Sequence, residues 1–139
     1  MKKYLTMALT TMMVAATAVC FAANGKILDA EEAIAEQYAN GAFYKKIAPF
    51  MSANMQANMS EANYVEMQKQ FAQGLGKINI LRMREYGRYD DADVLTYQLA
   101  TEKVPVAQYK FIFKVVGEKP MLEDAFIEVP TPKEAAPQK

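Results

Sequence analysis

The most specific grouping of residues that could do chemistry in this sequence is Arg82 and Arg84, two positions apart and followed by Tyr86. On one face of a strand, two guanidinium groups can form a cationic fork for a carboxylate-bearing ligand, since each can engage both oxygens of such a group. Tyr86 and, from the next strand, Tyr97 complete the candidate ligand contacts. The plainer reading is a solvent-facing row paired with acids on the neighbouring strand, which exposed sheet faces commonly carry. A second grouping is Met51, Met55 and Met59, one methionine every four residues. Thioethers at that spacing suit Cu(I), but no histidine or cysteine assists them, and methionine is also a filler of apolar cores, so packing is the expectation. The third is Asp90-Asp91-Ala92-Asp93, which reads as a solvated turn rather than a calcium loop or a catalytic base, because aspartate satisfies turn backbone locally.

The chain has no histidine, and no nucleophile–base pair, metal-ligand spacing or phosphate loop is visible in it. No catalytic residue, metal ligand or cofactor is therefore assigned. Asn58-Met59-Ser60 matches a glycosylation sequon, a three-residue pattern that arises readily by chance.

The first twenty-two residues read as an export signal. Lys2 and Lys3 precede an uncharged, apolar or small stretch, and Cys20-Phe21-Ala22 places small residues where a signal peptidase requires them. Cleavage after Ala22 is expected, with no membrane span left behind. Lipidation at Cys20 is the alternative, and Val19 before the cysteine argues against it. The remaining chain has no cysteine, so it must be held by its core, as suits a periplasmic or extracellular domain. The sixteen basic and sixteen acidic side chains balance, and loss of Lys2 and Lys3 leaves a slight acidic excess with no basic stripe. Nucleic acid is not an expected partner.

The elements that must position these groups can be read in order. Asp29 is placed as the cap of a helix in which Glu31 and Glu32 complement the dipole, Ala30, Ala33, Ile34, Gln37 and Tyr38 share a face, and Asn40-Gly41 makes the stop. From Ala42 to Met59 the signals are helical but broken at Pro49. Ser60 caps a helix over Glu61–Gln73 with Tyr64, Met67, Phe71 and Leu75 on one side, ended by Gly74 and Gly76. Four extended segments follow: Lys77–Gly87, with a bulge expected near Ile80–Leu81; Val94–Glu102, with Leu95, Tyr97 and Leu99 aligned; Val106–Val116; and Met121–Val129, with Met121, Ala125, Ile127 and Val129 on the apolar side. Val106–Val116 is the most regular, alternating Tyr109, Phe111, Phe113 and Val115 with Gln108, Lys110, Ile112 and Lys114. The fold class is α+β, N-terminal helices on a strongly curved four-stranded antiparallel meander. It forms a single domain over residues 23–129, with a loose proline-rich tail over 130–139.

This order of elements, with Ala33–Phe43 (AIAEQYANGAF) and Gly74–Ile78 (GLGKI) in approximate spacing, resembles the nuclear-transport-factor-2-like, cystatin-like superfamily of cone-shaped domains. Within it, the chain is similar to small exported families of unknown function. The resemblance implies a concave sheet face that encloses a pocket. It also implies that an enzyme of this kind would pair a base from Glu85, Asp90, Asp91 or Asp93 with a donor from Tyr64, Tyr86, Tyr97 or Tyr109. Three readings stay open: a non-catalytic exported domain binding a small ligand or an envelope protein, an isomerase- or dehydratase-like enzyme, and a structural module that forms a homodimer through its sheet.

Overall fold

A computed structural model describes residues 23–130. The expected export signal over 1–22 and the expected tail from residue 131 onward lie outside the described residues. The chain forms helices followed by a four-stranded antiparallel sheet in the order β1-β2-β3-β4.

Helix α1 spans Ala23–Ala39, so it runs through Asp29 instead of starting there. Its buried stripe is Ile27, Glu31, Ile34, Ala35 and Tyr38, the spacing of one helical face, whereas Ala30 and Ala33 are only half-buried. Glu31 thus leaves the first turn, where it would have complemented the dipole, and enters the middle of the inward face. The stop at Asn40-Gly41 is as expected: Gly41 takes φ 77°, and the amides of Asn40 and Ala42 reach the carbonyls of Glu36 and Gln37 at 3.0 Å.

Pro49 breaks the next region as anticipated, into helix α2 (Tyr44–Ile47), a turn of 3₁₀ helix (Ala48–Phe50) and helix α3 (Ala53–Asn58). Ser52 caps α3 by accepting from the Met55 amide at 3.1 Å. The methionines do not share a helical face. Met51 is extended and bridges Leu122, Met55 lies on α3, and Met59 follows its end. Met51 and Met55 are nonetheless core residues, and the half-buried Met59 packs against that core. Helix α4 spans Glu61–Leu75, with Ser60 accepting from the Asn63 amide at 3.2 Å and Gly76, at φ 74°, ending it.

The strands are β1 (Ile78–Arg88), β2 (Asp93–Thr101), β3 (Ala107–Val116) and β4 (Lys119–Glu128). Their inward side chains include Leu95, Tyr97 and Leu99 on β2 and Tyr109, Phe111 and Phe113 on β3, in the phase the alternation demands. Two phases differ from expectation, each because of an extra residue. In β1 the register slips twice, between Ile78 and Ile80 and between Met83 and Glu85, where one bulge near Ile80–Leu81 was anticipated. Leu81, Met83 and Tyr86 consequently pack inward while Ile80, Arg82, Arg84 and Glu85 are exposed. In β4 the register slips opposite Ile112 and Phe113, so Leu122 rather than Met121 is the fully buried residue.

The core is a set of interlocked rings. Phe111 stacks on Tyr109 with centroids 4.4 Å apart and meets Tyr97 and Tyr38 edge-on at 5.5 and 6.2 Å. Tyr64 meets Tyr38 edge-on at 5.8 Å, and its hydroxyl donates to the Ala42 carbonyl at 2.5 Å, fastening α4 to the chain after α1.

Candidate functional site

The four candidate contact residues do not converge. Arg82 and Arg84 lie on the open sheet face, and the Arg84 guanidinium donates through Nε and Nη2 to Gln98 Oε1 at 2.8 and 2.5 Å. This is the solvent-facing row of the plainer reading, with an amide as partner where an acid was anticipated. Tyr86, on the other side of the Met83/Glu85 bulge, turns inward, and Tyr97 is buried with its hydroxyl lacking a partner. Burial, reinforced by the charges of Glu36 and Glu32, pushes the Tyr97 hydroxyl above the ordinary tyrosine range, so it stays a neutral donor.

Tyr86 belongs to a polar cluster at one end of the sheet. Its hydroxyl donates to Asp93 Oδ2 at 3.2 Å, and Arg88 Nε stands 3.7 Å from Asp93 Oδ1. The expectation of a solvated aspartate turn holds for Asp90 and Asp91, which are exposed, and fails for Asp93, which is 3% exposed as the first residue of β2. Glu31 faces this group from α1. It is 0% exposed; among the described residues no N–H or O–H donor reaches either carboxyl oxygen, and the group beside it is the Asp93 carboxyl, with which a protonated Glu31 shares a hydrogen bond. Burial first, then the Asp93 carboxyl beside it, pushes Glu31 up to about 8 against the opposing pull of Arg88. Burial and the same two carboxyls push Tyr86 up to about 12. The cluster has a base and a donor side by side, but its two carboxyls are closed to solvent, and none of the three clefts described on this protein is lined by them.

A cleft of about 360 Å³ lies at the opposite end of the sheet, between the sheet and α4. Each strand contributes one side chain to its floor: Ile78 from β1, Leu99 from β2, Tyr109 from β3 and Ile127 from β4. Phe71 and Leu75 of α4 cover it, with Phe71 edge-on to Tyr109 at 6.3 Å. The polar side chains that line it are Asn40, Lys77 and Gln68; the Gln68 Nε2 is buried, makes no hydrogen bond of ordinary geometry and stands toward the Tyr64 hydroxyl. Two left-handed glycines shape the rim. A Cβ on Gly41 would stand 3.1 Å from Gln68 Oε1, and one on Gly76 only 2.7 Å from Glu102 Oε1. The Glu102 carboxylate itself accepts from the Lys77 amide at 2.7 Å, holding the entry to β1. A half-open cleft with an apolar floor and an unsatisfied donor on its wall can hold a small molecule that presents an acceptor, because an unsatisfied buried N–H costs about 1–3 kcal/mol.

Among the described residues, no group of three histidine, cysteine, aspartate or glutamate side chains is placed to hold a metal ion, and no helix is long and apolar enough to cross a membrane. No protein-family model matches this chain, and comparison with curated proteins finds no match.

Glu31 and Gln68 are the site residues that sequence reasoning missed. Both were legible as helical positions: Ile27, Glu31, Ile34 and Tyr38 share one face, as do Tyr64, Gln68, Phe71 and Leu75. Starting α1 at Asp29 hid the first stripe, and choosing the apolar Met67 hid the second.

Proposed function

We propose that this chain is an exported, non-catalytic binding domain and that its ligand is a small, mainly apolar molecule with a hydrogen-bond acceptor. The observation that carries this reading is the convergence of one inward side chain from every strand on a single cleft that also holds the unpaired Gln68 amide. The volume lies in the range of small-molecule sites. A concave-face pocket is also what the resemblance to the cone-shaped superfamily implies, and export is supported by the leader pattern of residues 1–22.

The enzymatic reading rests on the Tyr86–Asp93 hydrogen bond. It is the weaker of the two, because a general base must reach the proton it abstracts, and Asp93 and Glu31 are sealed from the clefts where a substrate could sit.

Ala72 is exposed on α4 and lines the cleft, so a bulky side chain there fills the chamber without disturbing the core. Titration with the apolar fluorophore 8-anilinonaphthalene-1-sulfonate should show saturable binding to the protein, weakened at least about tenfold, or about 1.4 kcal/mol, by Ala72→Phe. Absence of saturable binding, or equal binding by the variant, would count against the cleft as the ligand site.

A further inference from the structure

Glu31 and Asp93 are the charged residues buried among those described, and they face one another across the contact between α1 and the β1–β2 hairpin. We propose that this contact is a proton-operated latch: a proton held on Glu31 keeps the first turns of α1 docked on the hairpin, and its loss lets those turns lift while the rest of the fold stays closed.

The geometry on each side of Glu31 divides α1 into two parts. Beyond it, Ile34, Ala35 and Tyr38 enter the main core, and Tyr38 meets both Tyr64 and Phe111 edge-on. Before it, Ile27 is buried but lies outside that core cluster, and Leu28 packs against the cluster only partly buried. Among the described side chains, the N-terminal turns are therefore held by two aliphatic groups and by the buried Glu31 carboxyl facing Asp93.

The charges around Glu31 set the direction. Asp93 comes from β2, and Arg88 and Tyr86 from β1; Arg88 and Tyr86 are both engaged with Asp93. Of the described residues on α2 and β4, the other elements packed on α1, none is an ionisable group that acts on Glu31. A protonated Glu31 can approach Asp93 as a donor. An ionised one places a second negative charge, without solvent, beside the first, and Arg88, the cation among the described residues that acts on it, already faces Asp93. Lifting α1 returns Glu31 to water and removes that conflict.

For an acid whose proton is held more tightly in the docked state, docking is strongest at low pH. It weakens from the ordinary glutamate value of 4.5 upward and levels off above the docked value of about 8. The test is amide hydrogen exchange on the full chain between pH 5 and 9, corrected for the intrinsic pH dependence of exchange. Protection over residues 26–32 should fall by about tenfold per pH unit from about pH 5 to 8 and then flatten, while protection of β2 and β3 stays level. In Glu31→Gln, protection over residues 26–32 should not respond to pH. Wild-type protection that is the same at pH 5 and 8, an identical fall in Glu31→Gln, or a parallel loss across the sheet would overturn the latch. If Glu31→Gln does not fold, carbon-13 titration of the wild-type Glu31 carboxyl decides: a midpoint near 8 sustains the proposal, and one near 4.5 overturns it.

Discussion

Phe111→Ala should lower the unfolding free energy by about 3–5 kcal/mol, a large share of the stability of a domain this size. Phe111 is 0% exposed on the central strand β3, and its ring meets three others: stacked on Tyr109, edge-on to Tyr97 from β2 and edge-on to Tyr38 from α1. Truncation removes the ring's burial and also leaves a void that three large aromatic neighbours, each fixed by its own packing, cannot close. Lys110→Ala is the matched control. Lys110 is the adjacent residue on the outer face, paired with Glu128 at 2.9 Å across a partly exposed contact, and its loss should cost no more than about 1 kcal/mol. Urea unfolding of both variants measures the difference. Equal midpoints would mean that β3 presents its other face to the helices.

Glu31→Gln should make the protein more stable at neutral pH and should do so in a pH-dependent way. The sign follows from the proton balance. In the folded state Glu31 keeps its proton up to about 8, whereas the unfolded chain releases it near 4.5. Between those values the unfolded state binds fewer protons, and stability falls as pH rises. The cost grows by about 1.4 kcal/mol per pH unit, so the stability gap between variant and wild type should widen by about 3 kcal/mol from pH 4 to pH 7, then level off above pH 8. Titrating groups that do not interact with Glu31 are common to the two proteins and cancel in the comparison. A gap that is the same at pH 4 and pH 7 would show that Glu31 ionises in the fold as it does in water.

Where local patterns and tertiary packing agree, the sequence was readable to within a residue or two. Tyr109, Phe111 and Phe113 alternate without interruption and are all buried, and Ser60 and Gly76 bracket α4 through the serine hydroxyl and the glycine's left-handed backbone. What was not readable depended on a single inserted residue or on what lies opposite. The slip between Met83 and Glu85 in β1 separates Tyr86 from Arg82 and Arg84, so residues that look like neighbours on one face stand on two. The slip in β4 exchanges Leu122 for Met121 in the same manner. Such bulges carry no composition signal in Asn79, Arg84 or Glu123 that would set them apart from ordinary strand residues.

The candidate site shows a related limit. Glu31 precedes Glu32 and looks like one more acid near a helix start, and only the buried stripe through Ile27 reveals that it points inward. Asp93 shares its turn with Asp90 and Asp91, yet it pairs with Arg88 and Phe113 in register and is buried by them and by α1. The Met51, Met55 and Met59 spacing suggested one helical surface. Instead three different local structures bring these side chains to the core, where apolar volume is sufficient reason for them.

The most direct measurement of the central claim, that the cleft under α4 is where this protein holds its ligand, is residue-by-residue amide NMR during titration with 8-anilinonaphthalene-1-sulfonate. Saturable shifts are expected at Phe71, Ile78, Leu99 and Ile127, which line that cleft and not the neighbouring groove that shares Gln68 with it. Shifts grouped instead around Arg82, Arg84 and Lys110 on the open sheet face, or around Phe43, which is 83% exposed beside the separate groove along α4, would contradict that claim.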